Sequence, residues 1–345
     1  MTSASATRGT QRPAWLRGAL PWIALAVALA AIGGLFLATQ KGYRELLDRS
    51  NLSVGWTAAA FLSAVTPGSQ GRYDPRFDPA RLVSGAGALA NASFFPGGLQ
   101  VFFGRTPLLP DTVGLTPLVA FDADGLSDWR ILVPPSEHRV ALVAFANRAG
   151  ETPVGWVGAW ETLPPLAEPW LAVLLGMIAF LAALSLGIER YFGASRVIRD
   201  ALALLAIAAA AWAGLELRSA LQRTAVATTE THLQFARRLI EVAATADGVR
   251  SAVLPRLAPG LELQRTDRRA VRQDSVTWRG ENPDRTGSLT AIRPRGGAFM
   301  LTGSVPTDEI AGAELVLLGT WVVLLVALAV AAEAAPVSTP RGGGG

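Results

Sequence analysis

Four stretches of this 345-residue chain are apolar and long enough to enter a bilayer, and no other feature constrains its fold as strongly. They run over Leu20–Ala38, Trp170–Ile188, Ala201–Leu215 and Leu315–Ala332. A hydrocarbon core about 30 Å thick needs about 20 apolar residues of helix. The first, second and fourth stretches come close to that length with no charge inside. The third is alanine-rich, shorter, and bounded by Asp200 and Glu216. It reads as a span helped by snorkelling of Arg199 and local bilayer thinning, or as a buried or interfacial helix anchored by Trp212. Spanning is the reading adopted.

The expected fold is an α+β integral membrane protein with four transmembrane helices and two extracytoplasmic modules, each a long helix plus a short antiparallel sheet. Residues 1–13 form a disordered cytoplasmic tail, 14–39 the first transmembrane helix and 40–168 the first module. Residues 169–188 form the second helix, 189–200 a cytoplasmic loop and 201–216 the third helix. The second module covers 217–313, the fourth helix 314–332, and 333–345 a second disordered cytoplasmic tail. The N-terminal run is too long for a signal-peptide core, and Leu37-Ala38-Thr39-Gln40 lacks a small-x-small cleavage pattern. Orientation follows the arginines near short loops. Arg8, Arg12 and Arg17 in the tail, and Arg190, Arg196 and Arg199 in the 189–200 loop, belong in the cytoplasm.

Both modules open on a helix that leaves the membrane, Gly42–Val65 and Leu217–Ala246. In the second, Leu217, Leu221, Ala225, Thr228, His232, Phe235, Leu239, Val242 and Ala246 fall on one arc of about 100°. Arg223, Glu230, Gln234, Arg237 and Glu241 fall opposite, with Arg237 and Glu241 paired at i,i+4. The apolar stripe therefore packs on its own sheet or on a second copy of itself. Strands are expected at Leu99–Phe103, Leu118–Phe121, Trp129–Val133, Arg139–Ala146 and Val154–Trp160 in module one. In module two they are expected at Leu261–Arg265, Ser275–Arg279, Ser288–Ile292 and Ala298–Ser304. The order span, helix, strands, span thus occurs twice. The Gly- and Pro-rich stretch Pro67–Pro110 is expected to be irregular, with at most a short helix near Pro79–Ala90.

Cysteine is absent, which removes disulfides, thiolate metal sites and cysteine nucleophiles. Module one (40–168) carries ten basic and twelve acidic residues, 10 − 12 = −2, and module two (217–313) carries fourteen and ten, 14 − 10 = +4. Arginine dominates, with Lys41 the lone lysine, as in a GC-rich bacterial genome. Few aromatics interleave with the basic residues of module two, so no nucleic-acid partner is expected.

Of the two histidines, His138 sits in a turn and His232 in the helical stripe, with no ligand partners at zinc spacing. Asp122, Asp124 and Asp128 do not form an EF-hand, because the twelfth position from Asp122 is Val133. Asp124-Gly125 reads instead as a hairpin turn. Gly342–Gly345 has no strand or helix around it to make a phosphate loop. Asn51 and Asn91 match glycosylation sequons by chance, and Glu189, Arg190 and Glu216 lie at span ends, where they mark no ion pathway. No catalytic, cofactor-binding or metal residues are assigned, and the ligand is left open.

The membrane helix continuing into a long helix, the short sheet, and the last strand feeding the next span resemble the extracytoplasmic sensor regions of bacterial histidine kinases and their relatives. Leu118-Val-Ala-Phe-Asp-Ala-Asp-Gly-Leu-Ser-Asp-Trp-Arg-Ile-Leu is similar to the strand–Asp-x-x-Gly–strand hairpin of PAS-like and Cache-like domains. The resemblance implies a sheet that cradles a small ligand and long helices that dimerise and pass motion through the membrane. It also implies a homodimer and a signalling kinase partner. The chain itself lacks the kinase motifs: Thr231-His-Leu-Gln-Phe-Ala does not match the acceptor-histidine box. The expected function is a membrane-embedded signal-input region, either the N-terminal part of a two-component sensor or a stand-alone receptor, in the bacterial cytoplasmic membrane. The alternative is a non-enzymatic multi-span scaffold that binds other envelope proteins. Kinase motifs encoded downstream would favour the first.

Overall fold

Helices of this chain run well past the membrane length that their apolar stretches require. In the computed structural model, α1 covers Ala14–Val65, α2 Glu168–Phe192, α3 Arg196–Ala243 and α4 Thr307–Ala334. At 1.5 Å per residue, α1 and α3 are each over 70 Å long, roughly twice the hydrocarbon thickness. The described residues are 14–65, 83, 85–87, 89–90, 97–118, 129–134, 136, 138–146, 153–161, 168–192, 196–243, 261–266, 273–280, 285–293, 297–305 and 307–334. Among them, four helices are long and apolar enough to cross a membrane, and each has only 28–33% of its most apolar window buried. Side chains such as Val173, Phe180, Leu204 and Leu315 are more than 60% exposed, a surface compatible with contact to lipid. α3 passes through Glu216 without a break, and an 18-residue window of it reaches a mean hydropathy of 1.6.

The chain divides into two units. One gathers α1 up to Lys41, α2, α3 up to Ala220 and α4 from Gly312. Close helix packing there depends on small residues. A Cβ on Gly214 would lie 2.5 Å from the Trp321 ring, so only glycine admits the indole, whose Nε1 donates to the Ala210 carbonyl at 2.9 Å.

The other unit gathers the rest of α1 and α3 with two antiparallel sheets. The strands are β1 Gly97–Phe103, β2 Thr106–Pro107, β3 Trp129–Leu132, β4 Val140–Ala146 and β5 Pro153–Glu161, then β6 Leu261–Thr266, β7 Thr277–Arg279, β8 Thr286–Arg293 and β9 Gly297–Ser304. The first sheet is ordered β2-β1-β5-β4-β3 and the second β6-β9-β8-β7. Apart from the two-residue β2, the orders match strand for strand, so the repeated architecture extends to sheet topology. In both copies the last strand leads almost at once into a membrane-length helix: β5 ends at Glu161 before α2, and β9 at Ser304 before α4.

The first sheet is buried on both faces, which explains its unbroken apolar runs. Leu99, Val101, Val143, Phe145, Val157 and Ala159 face Val54, Ala58, Phe61 and Leu62 of α1. Phe102, Val140, Leu142, Trp156 and Trp160 point the other way, onto Val113 and Leu115. That second cover is organised by Asp111. Its Oδ1 accepts from the N–H groups of Gly114 at 2.9 Å and Leu115 at 3.0 Å, and its Oδ2 from the Thr116 N–H at 2.7 Å and hydroxyl at 2.5 Å. Gly114 takes φ 75° to make the turn. The chain then tightens into a 3₁₀ turn at Thr116–Leu118, with the Leu118 N–H on the Leu115 carbonyl at 2.8 Å. Leu118 is therefore not the start of a strand as expected, because the Asp111 cap and Pro117 hold it in a turn. The expected continuation to Phe121 and the Asp124-Gly125 hairpin lie outside the described residues.

The second sheet is covered on one face only, as the alternation of exposed and partly buried residues along β6 shows. All seven described members of the expected α3 stripe, from Leu217 to Leu239, are buried. The stripe packs within the chain. Phe235 and Leu239 join the core of the first sheet. Leu233, Ala236 and Ile240, outside the expected stripe, cover Leu289, Ala291 and Leu301 of the second. At 100° per residue the buried arc is about 160° wide. The widening corrects one assignment. Arg237 is buried beside that arc and not on a solvated face, and its Nη1 donates to the Gln273 carbonyl at 2.5 Å.

Candidate functional site

Helix periodicity brings Leu46, Arg49, Ser50 and Ser53 to one face of α1, at i, i+3, i+4 and i+7. Opposite them α3 presents Thr228, Thr229 and His232. The ends of β6 and β9 close the space with Leu261, Gly303 and Ser304. The result is a polar cavity of about 40 Å³ inside the two-sheet unit. One water needs roughly 10–15 Å³ of such space, so the cavity has room for a few waters or one small solute.

His232 dominates its chemistry. The residue is buried, and its Nε2 has no hydrogen-bond partner. Burial pushes the imidazole down to a pKa of about 4, opposed by a hydrogen bond to the Ser53 backbone and reinforced by the charge of Arg49. The ring is therefore neutral at physiological pH. With the proton on the nitrogen that faces the Ser53 carbonyl, Nε2 is an unused acceptor. The hydroxyls of Thr228 and Thr229 both donate to the Ala225 carbonyl at 2.9 Å, which fixes their rotamers and leaves their lone pairs available. Such a constellation can bind a small polar solute or a proton.

α1 is fixed next to the cavity by Asp48 and Asn51. Arg139 Nε donates to Asp48 Oδ1 at 2.7 Å, and Asn51 Nδ2 donates to the Arg139 carbonyl at 2.7 Å. The hydrogen bond to Asp48 raises the Arg139 pKa further, against a smaller effect of burial. The turn just before β4 is thereby clamped to the helix that carries Arg49.

His138 lies in that turn, as its sequence context indicates, with Nδ1 2.8 Å from the Ser136 carbonyl. It is remote in sequence from His232. Among the described residues no three His, Cys, Asp or Glu side chains converge as a metal site. Asn51 is 1% exposed and its amide is engaged, so its sequon cannot accept a glycan in the folded chain. Glu216 lies within α3. Glu189 and Arg190 fall near the end of α2. Asn91, Asp122, Asp124, Asp128 and Gly342–Gly345 lie outside the described residues. Arg49 and the serines around it carried no sequence signal, because their partners on α3 are about 180 residues away. No family model, curated protein or solved structure matches the chain.

Proposed function

We propose that this chain is a membrane-embedded signal-input region, with both sheets on the extracytoplasmic side and the cavity around Arg49 and His232 as its input site. One observation carries the reading. The cavity lies between two helices, and each of them continues unbroken into a membrane-length apolar segment. A change in cavity occupancy acts on α1 and α3 directly, and the residues of each helix run on from the cavity into its apolar segment. The shared core supports the four-span arrangement. Phe235 of the second module packs with Val143 and Phe145 of the first, which supports placing both modules on one side of the membrane. If the second stretch crosses between them, a crossing by the third restores both modules to one side. The arginines of 1–13 and 189–200 favour the cytoplasm for the opposite side. The output passes to a separate or in-frame signalling partner, and the bilayer is the immediate surroundings.

The test is a distance measurement on the cytoplasmic side. Spin labels at Ser195→Cys and Ser338→Cys, in nanodisc-reconstituted full chain, report the ends of the spans. Thr229→Trp fills the cavity and mimics an occupant. The reading predicts a shifted distance distribution, and an unchanged one in a folded variant overturns it.

A further inference from the structure

We propose that the cavity takes up a small aliphatic monocarboxylate together with a proton, held between Arg49 and His232. As the occupant of the signal-input cavity such a ligand presupposes that reading, although its binding is measured independently of it. The lining specifies the chemistry. Arg49 lines the cavity with a guanidinium whose buried Nη1 can donate to a carboxylate oxygen. Leu46 and Leu261 form an apolar wall suited to a short alkyl tail and of no use to chloride or inorganic phosphate. A cavity of about 40 Å³ limits that tail to a few carbons.

The proton follows from the unpartnered Nε2. Neutral His232 offers the cavity only an acceptor, which repels a carboxylate oxygen. Protonated, the same nitrogen becomes a donor to that oxygen, and the ligand's charge offsets that of Arg49. α1 faces the ring with one charged lining residue, Arg49, while α3 adds the hydroxyls of Thr228 and Thr229. β6 and β9 contribute Leu261, Gly303 and Ser304, none of which titrates in this range. The bound anion therefore raises the imidazole pKa from its low value in the empty site. By linkage, affinity for the anion rises as pH falls through the bound-state pKa, by up to tenfold per pH unit, until the ligand's own carboxyl begins to protonate.

The experiment uses the wild-type full chain in nanodiscs with ¹³C-labelled histidine. The sequence has two histidines, so His138 in its turn is an internal reference. Acetate, sodium chloride and inorganic phosphate are titrated at matched ionic strength. The expected result is a saturable shift of the His232 resonance with acetate alone, and a titration midpoint raised by about one pH unit or more. His138 stays unmoved, and Arg49→Met abolishes the effect. Three results overturn the proposal: a His232 midpoint that acetate leaves unchanged, an equal response to chloride or phosphate, or a parallel shift of both histidines. A silent acetate titration alongside a Thr229→Trp distance change would leave the signal-input reading standing. Acetate binding without any distance change would remove that reading and leave the site.

Discussion

Phe235→Ala separates a shared core from two independent modules. Phe235 is wholly buried, and it belongs to the cluster built on the first sheet although its own chain segment continues to the second. Truncating a buried Phe to Ala costs about 3–5 kcal/mol, through lost transfer energy and the cavity left behind. If α3 served only its own sheet, that loss would fall on β6–β9. With Phe235 in the core that α1 shares with the first sheet, the loss falls on β4 and β5 as well. Each 1.4 kcal/mol is tenfold in an equilibrium, so amide exchange in β4 and β5 should accelerate roughly a hundredfold or more. Hydrogen exchange with mass spectrometry on the nanodisc-reconstituted chain reads this sheet by sheet. Glu230→Ala on the less buried side of α3 is the control and should change exchange by less than the equivalent of about 0.5 kcal/mol. Unchanged protection in β4 and β5, with loss confined to β8 and β9, would refute the shared core.

Three further outcomes are expected. His232 has a folded-state pKa of about 4 against an ordinary 6.5, so its contribution to stability is intact above pH 6.5 and falls as the pH drops towards 4. The loss is about 3 kcal/mol in all, and a melting-temperature profile of His232→Gln should be flatter over that window. Asp111 is held at about 2, where hydrogen bonds from Thr116, Leu115 and Gly114 outweigh the opposing effect of burial. Its contribution is present above 3.8 and lost as pH falls through about 2, and Asp111→Ala should lower stability by about 2 kcal/mol as read by chemical denaturation. Gly214→Ala should displace the Trp321 indole at a cost of about 1–3 kcal/mol, seen as a shift in tryptophan emission.

The elements of this fold are written locally. Short apolar or alternating runs bounded by turn residues place eight of the nine strands within a few residues, from Gly97–Phe103 to Gly297–Ser304. The two-residue β2 is too short to leave a pattern. What the sequence does not disclose is what lies across from each element. A helical stripe reports that α3 is covered and not by what. Leu233, Ala236 and Ile240 look like the edge of the stripe until a second sheet is seen against them. Arg237 looks solvated for the same reason. Asp111 organises a turn through five residues with no repeating pattern, and so it leaves no periodic signal. The cavity is the extreme case, because Arg49 and His232 meet only through tertiary packing.

The topology carries every functional statement, and single cysteines measure it in a chain that has none of its own. Ser136→Cys reports the first sheet's turn, Ser288→Cys the second sheet, and Ser195→Cys the segment between α2 and α3. With an impermeant maleimide on intact cells, the first two should label and Ser195→Cys only after lysis. Labelling of Ser136→Cys with protection of Ser288→Cys would place the sheets on opposite sides of the membrane, and would contradict both the shared core and the input site built on it.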